Sequence, residues 1–246
     1  MATVCVGDVH GNLAALDDLL NRLLPELDSS DTLVFLGDYI DRGSDSRGVL
    51  DRLIALRATP PCHVVFLLGN HEQWMLKTRA DFTSHSWLLG MEAFATIGSY
   101  STDAALMLRA AASGAGSRLY TDHVALPYDL FFNELPATHV DLLEHLQPFW
   151  RTADAVCVHG GVPLDDTPVE NADLRDLIWG CYGFPESYKG SDFIVYGHRN
   201  DCVMGADGWP SVRRGERTVG IDSIACGVLT AIRLPDFKVF QSSRYT

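Results

Sequence analysis

Apolar residues along the first third of the chain alternate between two rhythms. "TVCV" (3–6), "TLVFLG" (32–37) and "HVVFLLG" (63–69) are short continuous apolar runs and predict strands. Between them, "LAALDDLLNRLL" (13–24) and "RGVLDRLIALRA" (47–58) carry apolar residues at helical spacing, with Asn12 placed to cap the first helix. "HEQWMLKTRA" (71–80) continues with helical character. A strand–helix–strand–helix–strand order predicts a mainly parallel sheet with helices on its faces. Residues 81–150 break the rhythm with Ala/Ser/Gly-rich and aromatic stretches ("TDAALMLRAAASGAGSRLY", "LPYDLFFNELPAT") and a short helix around "HVDLLEHL". They are expected to form a largely helical insertion over one edge of the core. From residue 154 strands dominate: "DAVCVHGG", "DFIVYGH", "RTVGID", "VLTAIRL" and "KVFQSS". The last three, short and separated by turns, suggest a second sheet of mostly antiparallel strands. The expected architecture is α/β: a two-sheet mixed β-sandwich flanked by helices, one domain over residues 1–246.

Composition narrows the functional classes. With 47% hydrophobic and 21% charged residues in 246, the chain can bury a sizeable core. A formal net charge of −13 argues against a nucleic-acid binder, which needs a basic face. The N-terminus enters a strand at once, without the features of a signal peptide, and no apolar run is long enough to span a bilayer. Six cysteines (Cys5, Cys62, Cys157, Cys181, Cys202, Cys226) lack C-x-x-C spacing and read as reduced thiols, in keeping with a cytoplasmic location.

Chemistry gathers at the strand ends. Five strands finish beside glycine and a metal-capable residue: "GDVHG" (7–11), "GDYIDRG" (37–43), "GNHE" (69–72), "VHGG" (158–161) and "YGHRN" (196–200). Strands ending this way aim their loops at a common rim, where open α/β sheets bind ligands, and glycine permits the sharp turns. One histidine or aspartate beside a strand end is ordinarily a cap or a surface residue; five glycine-framed motifs in succession are not a set of unrelated turns. The loops present Asp8, His10, Asp38, Asn70, His159 and His198. Carboxylates, imidazoles and an amide without thiolate suit Mn²⁺, Fe²⁺ or Zn²⁺. Six donors exceed the needs of one four-coordinate ion, so a two-metal site bridged by Asp38 is expected.

The ordered set GD-x-HG, GD-x-x-DRG, GNHE, HGG and GH resembles the calcineurin-like metallophosphoesterases, and within them the PPP-type serine/threonine phosphatases of bacteria and phages. "GIDSIACGVLTAIRL" (220–234) resembles the strand pair that closes the family's sheet. The resemblance implies the two-sheet fold, with Asp8, His10 and Asp38 on one metal and Asp38, Asn70, His159 and His198 on the other, manganese being the leading candidate. Two divalent ions less two aspartates leave a cationic pocket that draws a phosphate ester. Water bridging the ions is acidified towards ~7 and supplies hydroxide for in-line attack. His71, with an ordinary pKa of ~6.5, is the natural proton donor to the leaving oxygen, Asp41 would orient its imidazole, and Arg42 would grip phosphate oxygens. The bland alternative is a surface salt bridge between Asp41 and Arg42.

The pattern departs from the family in one place. PPP phosphatases usually supply a further phosphate-binding arginine after an "LxW" stretch, and "DLIWGCYGFPESYKGSDF" (176–193) has none. Arg175, Lys189 and Arg199 are the nearby cations. Arg199, next to His198, is the candidate replacement, set against a loop-stabilising pair with Asp201 or Asp222. Trp179, Tyr182 and Phe184 are candidates for a substrate wall or for core. The expected partner is a phosphorylated substrate, a phosphopeptide or small phosphate ester, rather than nucleic acid or membrane. The alternatives are a nucleotide phosphohydrolase that splits diadenosine polyphosphates and a non-catalytic metal-binding module.

Overall fold

The computed structural model describes residues 1–200 and 202–245. β1 (Thr3–Val6), β2 (Thr32–Phe35) and β3 (His63–Phe66) run parallel, joined by α1 (Leu13–Leu23) and α2 (Ser46–Ala58). Asn12 caps α1 by accepting the Ala15 N–H at 3.0 Å, and Asp45 caps α2 through Gly48 at 2.8 Å. Strand alternation explains why the strands are apolar throughout. Val4, Val6, Leu33 and Phe35 pack with Leu16, Leu19, Leu20 and Leu23 of α1, whereas Cys5, Val34 and Val65 face a second sheet. Each strand is covered on both sides.

After α3 (Asn70–Ala80) the chain runs through α4 (Ser86–Gly90), α5 (Phe94–Tyr100), α6 (Thr102–Ala115), α7 (Arg118–Thr121), α8 (Asp129–Phe132) and α9 (Ala137–Glu144). Their shared core is aromatic: Phe131 lies 5.5 Å from both Trp87 and Tyr100. Fully buried His139 ties α9 to Tyr100 Oη at 2.6 Å and to Asp51 of α2 at 2.9 Å. No helix among the described residues is long and apolar enough to cross a membrane.

β4 (Phe149–Arg151), β5 (Val156–Val158), β6 (Ile194–Tyr196), β9 (Arg213–Arg214) and β10 (Thr218–Gly220) form the second sheet, in the order β4-β5-β6-β10-β9. α10 (Leu174–Trp179) lies between β5 and β6, and β7 (Val203–Met204) pairs with β8 (Pro210–Ser211) as a separate ribbon. β11 (Thr230–Leu234) and β12 (Lys238–Gln241) return to the first sheet, β11 antiparallel to β1. The expectation of one antiparallel sheet from the last three strands is therefore corrected: β10 runs parallel to β6, and its successors leave for the other sheet. Short turn-separated strands look alike in either arrangement. The deciding fact is that β11 is buried on both faces, Ala231 on the helix side and Ile232 between the sheets, which an outer sheet edge would not provide.

The inter-sheet core joins Cys5, Val34 and Val65 to Cys157, Val195 and Val219, with the Cys5 and Cys157 sulfurs 3.4 Å apart. Cys202 and Cys226 form a disulfide, so the reading of six reduced thiols holds for four. Spacing rules miss such a pair because 24 residues separate the two and only the return from β10 brings them together.

Candidate metal centre

The glycine-framed loops lock to one another through their backbones. Val9 and His10 N–H both donate to Asp38 O at 3.0 and 2.9 Å, Gly11 N–H to Tyr39 O at 2.8 Å, and Gly197 N–H to His159 O at 2.8 Å. His10, Asp38, Asp41, Arg42, His198 and Asn200 all adopt φ between 45° and 69°, a region that costs a non-glycine residue roughly 1 kcal/mol or more. Most of the non-glycine residues in this region sit at the one rim. Two glycines there admit no side chain: a Cβ on Gly69 would strike Asp38, and one on Gly197 would strike Asp8 Oδ1.

Asp38 is the junction. Its Oδ1 lies 3.3 Å from His159 Nε2, and its Oδ2 lies 3.5 Å from His10 Nε2 and 3.8 Å from His71 Nε2. Asn70 Oδ1 stands 2.9 Å from His159 Nε2 and 2.8 Å from His198 Nδ1. Asp8 accepts the His198 N–H, and its Oδ2 lies 3.9 Å from His10 Nε2. The six donors named from sequence are thus brought together. Two groups have ligand atoms mutually within 4.8 Å, His10–Asp38–His71 and Asp38–His159–His198, and they share Asp38. His71 stands in the first group where Asp8 was expected, because Asp8 turns towards the His198 amide.

This donor set fits divalent cations. His10 and His159 donate Nδ1–H to backbone carbonyls, Ile40 O at 3.0 Å and Leu36 O at 2.9 Å, which turns each Nε2 towards Asp38. Burial lowers His10 to about 3, and burial together with the His159 charge lowers His198 to about 3, so both rings are neutral as ligands must be. Burial also disfavours charge on His159, yet the pull of Asp38 and then Asp8 and Glu72 wins and raises it to about 10. Burial, then the neighbouring Asp222, pushes Asp8 up. His71 Nε2 and Asp222 Oδ1 are buried without a hydrogen-bond partner among the described residues. Crowded buried carboxylates and inward lone pairs are stabilised by added positive charge.

His71 and Asp41 form the second feature. His71 Nδ1 lies 2.7 Å from Asp41 Oδ2, both residues being buried. Burial opposes charge on His71, but Asp38 and the Asp41 hydrogen bond outweigh it and raise its pKa. The Asp41–Arg42 surface pair is not formed: Asp41 points inward, while Arg42 is exposed with no ion pair among the described residues. Arg42 is still close enough to add to the lowering of His10, which burial dominates, and to offset slightly the burial that raises Asp222. Arg199 is half-buried, with a guanidinium nitrogen 3.1 Å from where a Gly180 Cβ would lie, and it too depresses His198. Of its two suggested partners, Asp201 lies outside the described residues, and Asp222 Oδ2 accepts the Asn200 N–H at 2.6 Å.

The aromatic candidates separate. Trp179 donates Nε1–H to Gln73 Oε1 at 3.1 Å, packs against Trp74 at 4.8 Å with the ring planes tilted by 47°, and meets the His198 ring edge-on at 5.7 Å. Gln73, Trp74 and Trp179 line, with Lys77 and Arg175, a cavity of about 360 Å³. Phe184 is core and Tyr182 is fully exposed. Lys189 lies in the loop before β6, away from the rim, in a cavity with Arg213, Arg214 and Arg217.

Sequence reasoning left Glu72 without a role although "GNHE" contains it. Its buried carboxylate accepts N–H groups from Asp38, Tyr39, Ile40 and Gly69 at 2.8–3.2 Å, and burial followed by the Asp38 charge raises it to about 7. Trp87, Met91 and Thr96 were missed outright. Trp87 Nε1–H and Thr96 Oγ1–H donate to Asp41, and Asn70 Nδ2 donates to Met91 Sδ at 3.7 Å. No local pattern marks these three.

Comparison with known proteins agrees with this geometry. A family model described as calcineurin-like phosphoesterase matches residues 1–227. The chain is 39% identical over 72 residues to serine/threonine-protein phosphatase SIT4 of Candida albicans, covering 28% of this chain and 23% of that protein. It is 43% identical over 79 residues to the symmetrical bis(5'-nucleosyl)-tetraphosphatase of an Acidovorax species, covering 31% and 25%. These matches span about a quarter of the length of the curated relatives. A solved structure provisionally titled a diadenosine tetraphosphatase superposes over 100% of this chain and 94% of its own, with a TM-score of 0.62 and 19% identity, a likeness of fold. Matched over nearly its whole length, the chain belongs to the calcineurin-like phosphoesterase family.

Proposed function

We propose that the chain is a divalent-metal-dependent phosphoester hydrolase, a phosphomonoesterase of the serine/threonine phosphatase type. The observation that carries this reading is the shared position of Asp38 between two inward-facing imidazole sets, beside the buried His71–Asp41 pair. Asp8, His10 and Asp38 would hold one ion, and Asp38, Asn70, His159 and His198 the other. Such ions, manganese first and iron or zinc next, supply positive charge for the phosphoryl oxygens and acidify water to hydroxide near neutral pH. Asp41 takes the His71 Nδ1–H, so the mobile proton sits on Nε2, directed at the centre and ready for the leaving alkoxide. Exposed Arg42 presents its planar fork to the phosphate from the rim, and Arg199 flanks it beside His198. Glu72 holds the Asp38–Ile40 backbone against the strain of the positive φ at Asp38.

A second reading, a nucleotide phosphohydrolase, is favoured by the cavity beside His198. Its two indoles suit a base and its Lys77 and Arg175 suit further phosphates. The deciding experiment is purified protein with Mn²⁺ on nitrophenyl phosphate, bis-nitrophenyl phosphate, a phosphothreonine peptide and a dinucleoside polyphosphate. Preference for the peptide is expected. Preference for the dinucleotide would replace the leading reading by the second, and inactivity on all four would leave a metal-binding module.

A further inference from the structure

The helices between α3 and β4 carry none of the glycine-framed motifs, yet two of their side chains end on the residue that orients the proposed proton donor. The Asp41 carboxylate, wholly buried, receives three donors: His71 Nδ1–H at 2.7 Å and Trp87 Nε1–H at 2.9 Å on Oδ2, and Thr96 Oγ1–H at 2.6 Å on Oδ1. Thr96 Oγ1 also accepts the Asp41 N–H at 2.8 Å and lies 2.9 Å from Ser46 Oγ, which itself stands 3.1 Å from the same N–H. The Thr96 hydroxyl therefore grips Asp41 at both its backbone and its side chain. Asp41 needs such a grip, since its φ of 69° is one an aspartate seldom holds unaided.

A carboxylate facing one imidazole can swing about its last torsion and take the ring with it. With donors on both oxygens it cannot. We propose that Trp87 of α4 and Thr96 of α5 are positioning residues for proton transfer. They lock Asp41 so that Oδ2 receives the His71 Nδ1–H and the opposite nitrogen, Nε2, stays aimed at the centre. This rests on His71 being the proton donor. It also gives the segment 86–97 a part in the chemistry, reached through Asp41 rather than through substrate. Both side chains are fully buried, and the Trp87 ring is independently held by Phe131 at 5.5 Å and Phe132 at 6.1 Å, so its N–H can be removed without removing the packing.

The test uses Trp87→Phe, Thr96→Val and Thr96→Ser in the full chain, each alone and combined with His71→Asn. On an alkyl phosphate, kcat should fall about tenfold or more for Trp87→Phe and Thr96→Val with KM unchanged, as misplacement of a reacting group predicts. Nitrophenyl phosphate, whose leaving group needs little protonation, should lose no more than about twofold, and Thr96→Ser should restore the alkyl rate. Added to His71→Asn, neither substitution should cost anything further. A readout independent of turnover is the low-field proton resonance of His71 Nδ1–H in metal-free protein, which should shift upfield or broaden in Trp87→Phe. Equal losses on both substrates, full additivity with His71→Asn, or an unmoved resonance would make the two residues scaffold only. Should Thr96→Val fail to fold, Trp87→Phe and the resonance decide. If His71→Asn itself costs both substrates equally, the donor reading falls first, and this inference with it.

Discussion

The strand-end loops and the helices of residues 86–144 meet at Asp41 and Asn70, but they arrive by different rules. In the loops, donor and glycine are neighbours in sequence, because a sharp turn and an inward side chain must be built from the same few residues. Gly69 precedes Asn70, Gly197 precedes His198, and in both places a Cβ would strike an aspartate of the centre. In the helices, Trp87, Met91 and Thr96 stand among ordinary packing residues and reach the centre only because α4 and α5 lie against it. Residues that face the reacting atoms carry a local signature; residues that hold them in place need only arrive in space.

Substitutions can break or sharpen this contrast. The largest effect is expected at the junction of the loops: Asp38→Asn should abolish metal-dependent hydrolysis and lower the metal retained after dialysis, and full turnover would end the bridging assignment. EDTA should likewise remove the activity and Mn²⁺ restore it. Next, His71→Asn should slow alkyl phosphate turnover by roughly 10²–10⁴-fold, with a smaller loss on nitrophenyl phosphate.

Glu72→Gln tests support inside a loop motif. It replaces one accepting oxygen by a donor facing backbone N–H groups and should cost about 1–3 kcal/mol, read as a lower urea midpoint; an unchanged midpoint would show the loop holds itself.

Protonation probes the centre as a whole. Native His10 and His198, lowered to about 3, refuse protons that unfolded imidazoles accept near 6.5, so their contribution to metal-free stability should fall as pH drops from 6.5 towards 3. His159, raised to about 10, contributes stability below pH 6.5 that is lost as pH climbs to 10. Glu72, raised to about 7, and Asp8, also raised, work the other way and add stability as pH falls below 7, so the histidine direction is read by difference: from pH 6.5 to 4 the urea midpoint of His198→Asn should fall less, or rise more, than that of the native chain, and an identical profile would contradict it. The smallest effect is expected at Arg199→Ala, a modest rise in KM. Unchanged KM and kcat would remove Arg199 from the phosphate pocket.

Local pattern determined a good deal about this protein. Buried apolar runs with helical segments between them gave the parallel half of the first sheet, since strand and helix periods are set by the backbone itself. The motifs named Asp8, His10, Asp38, Asn70, His159 and His198, all of which the fold brings to one rim, the first five buried and His198 half-buried. Even Glu72 was in view within "GNHE", although its partners were not. Tertiary structure alone decided which sheet β11 joins, the Cys202–Cys226 disulfide, the inward turn of Asp41 away from Arg42, and the grip of Trp87 and Thr96 upon it. The reason is physical. A turn or a strand end restricts which residues can occupy it, so its chemistry is written at fixed offsets. A hydrogen bond between residues 41 and 96 restricts only their final separation, which packing of the intervening helices sets.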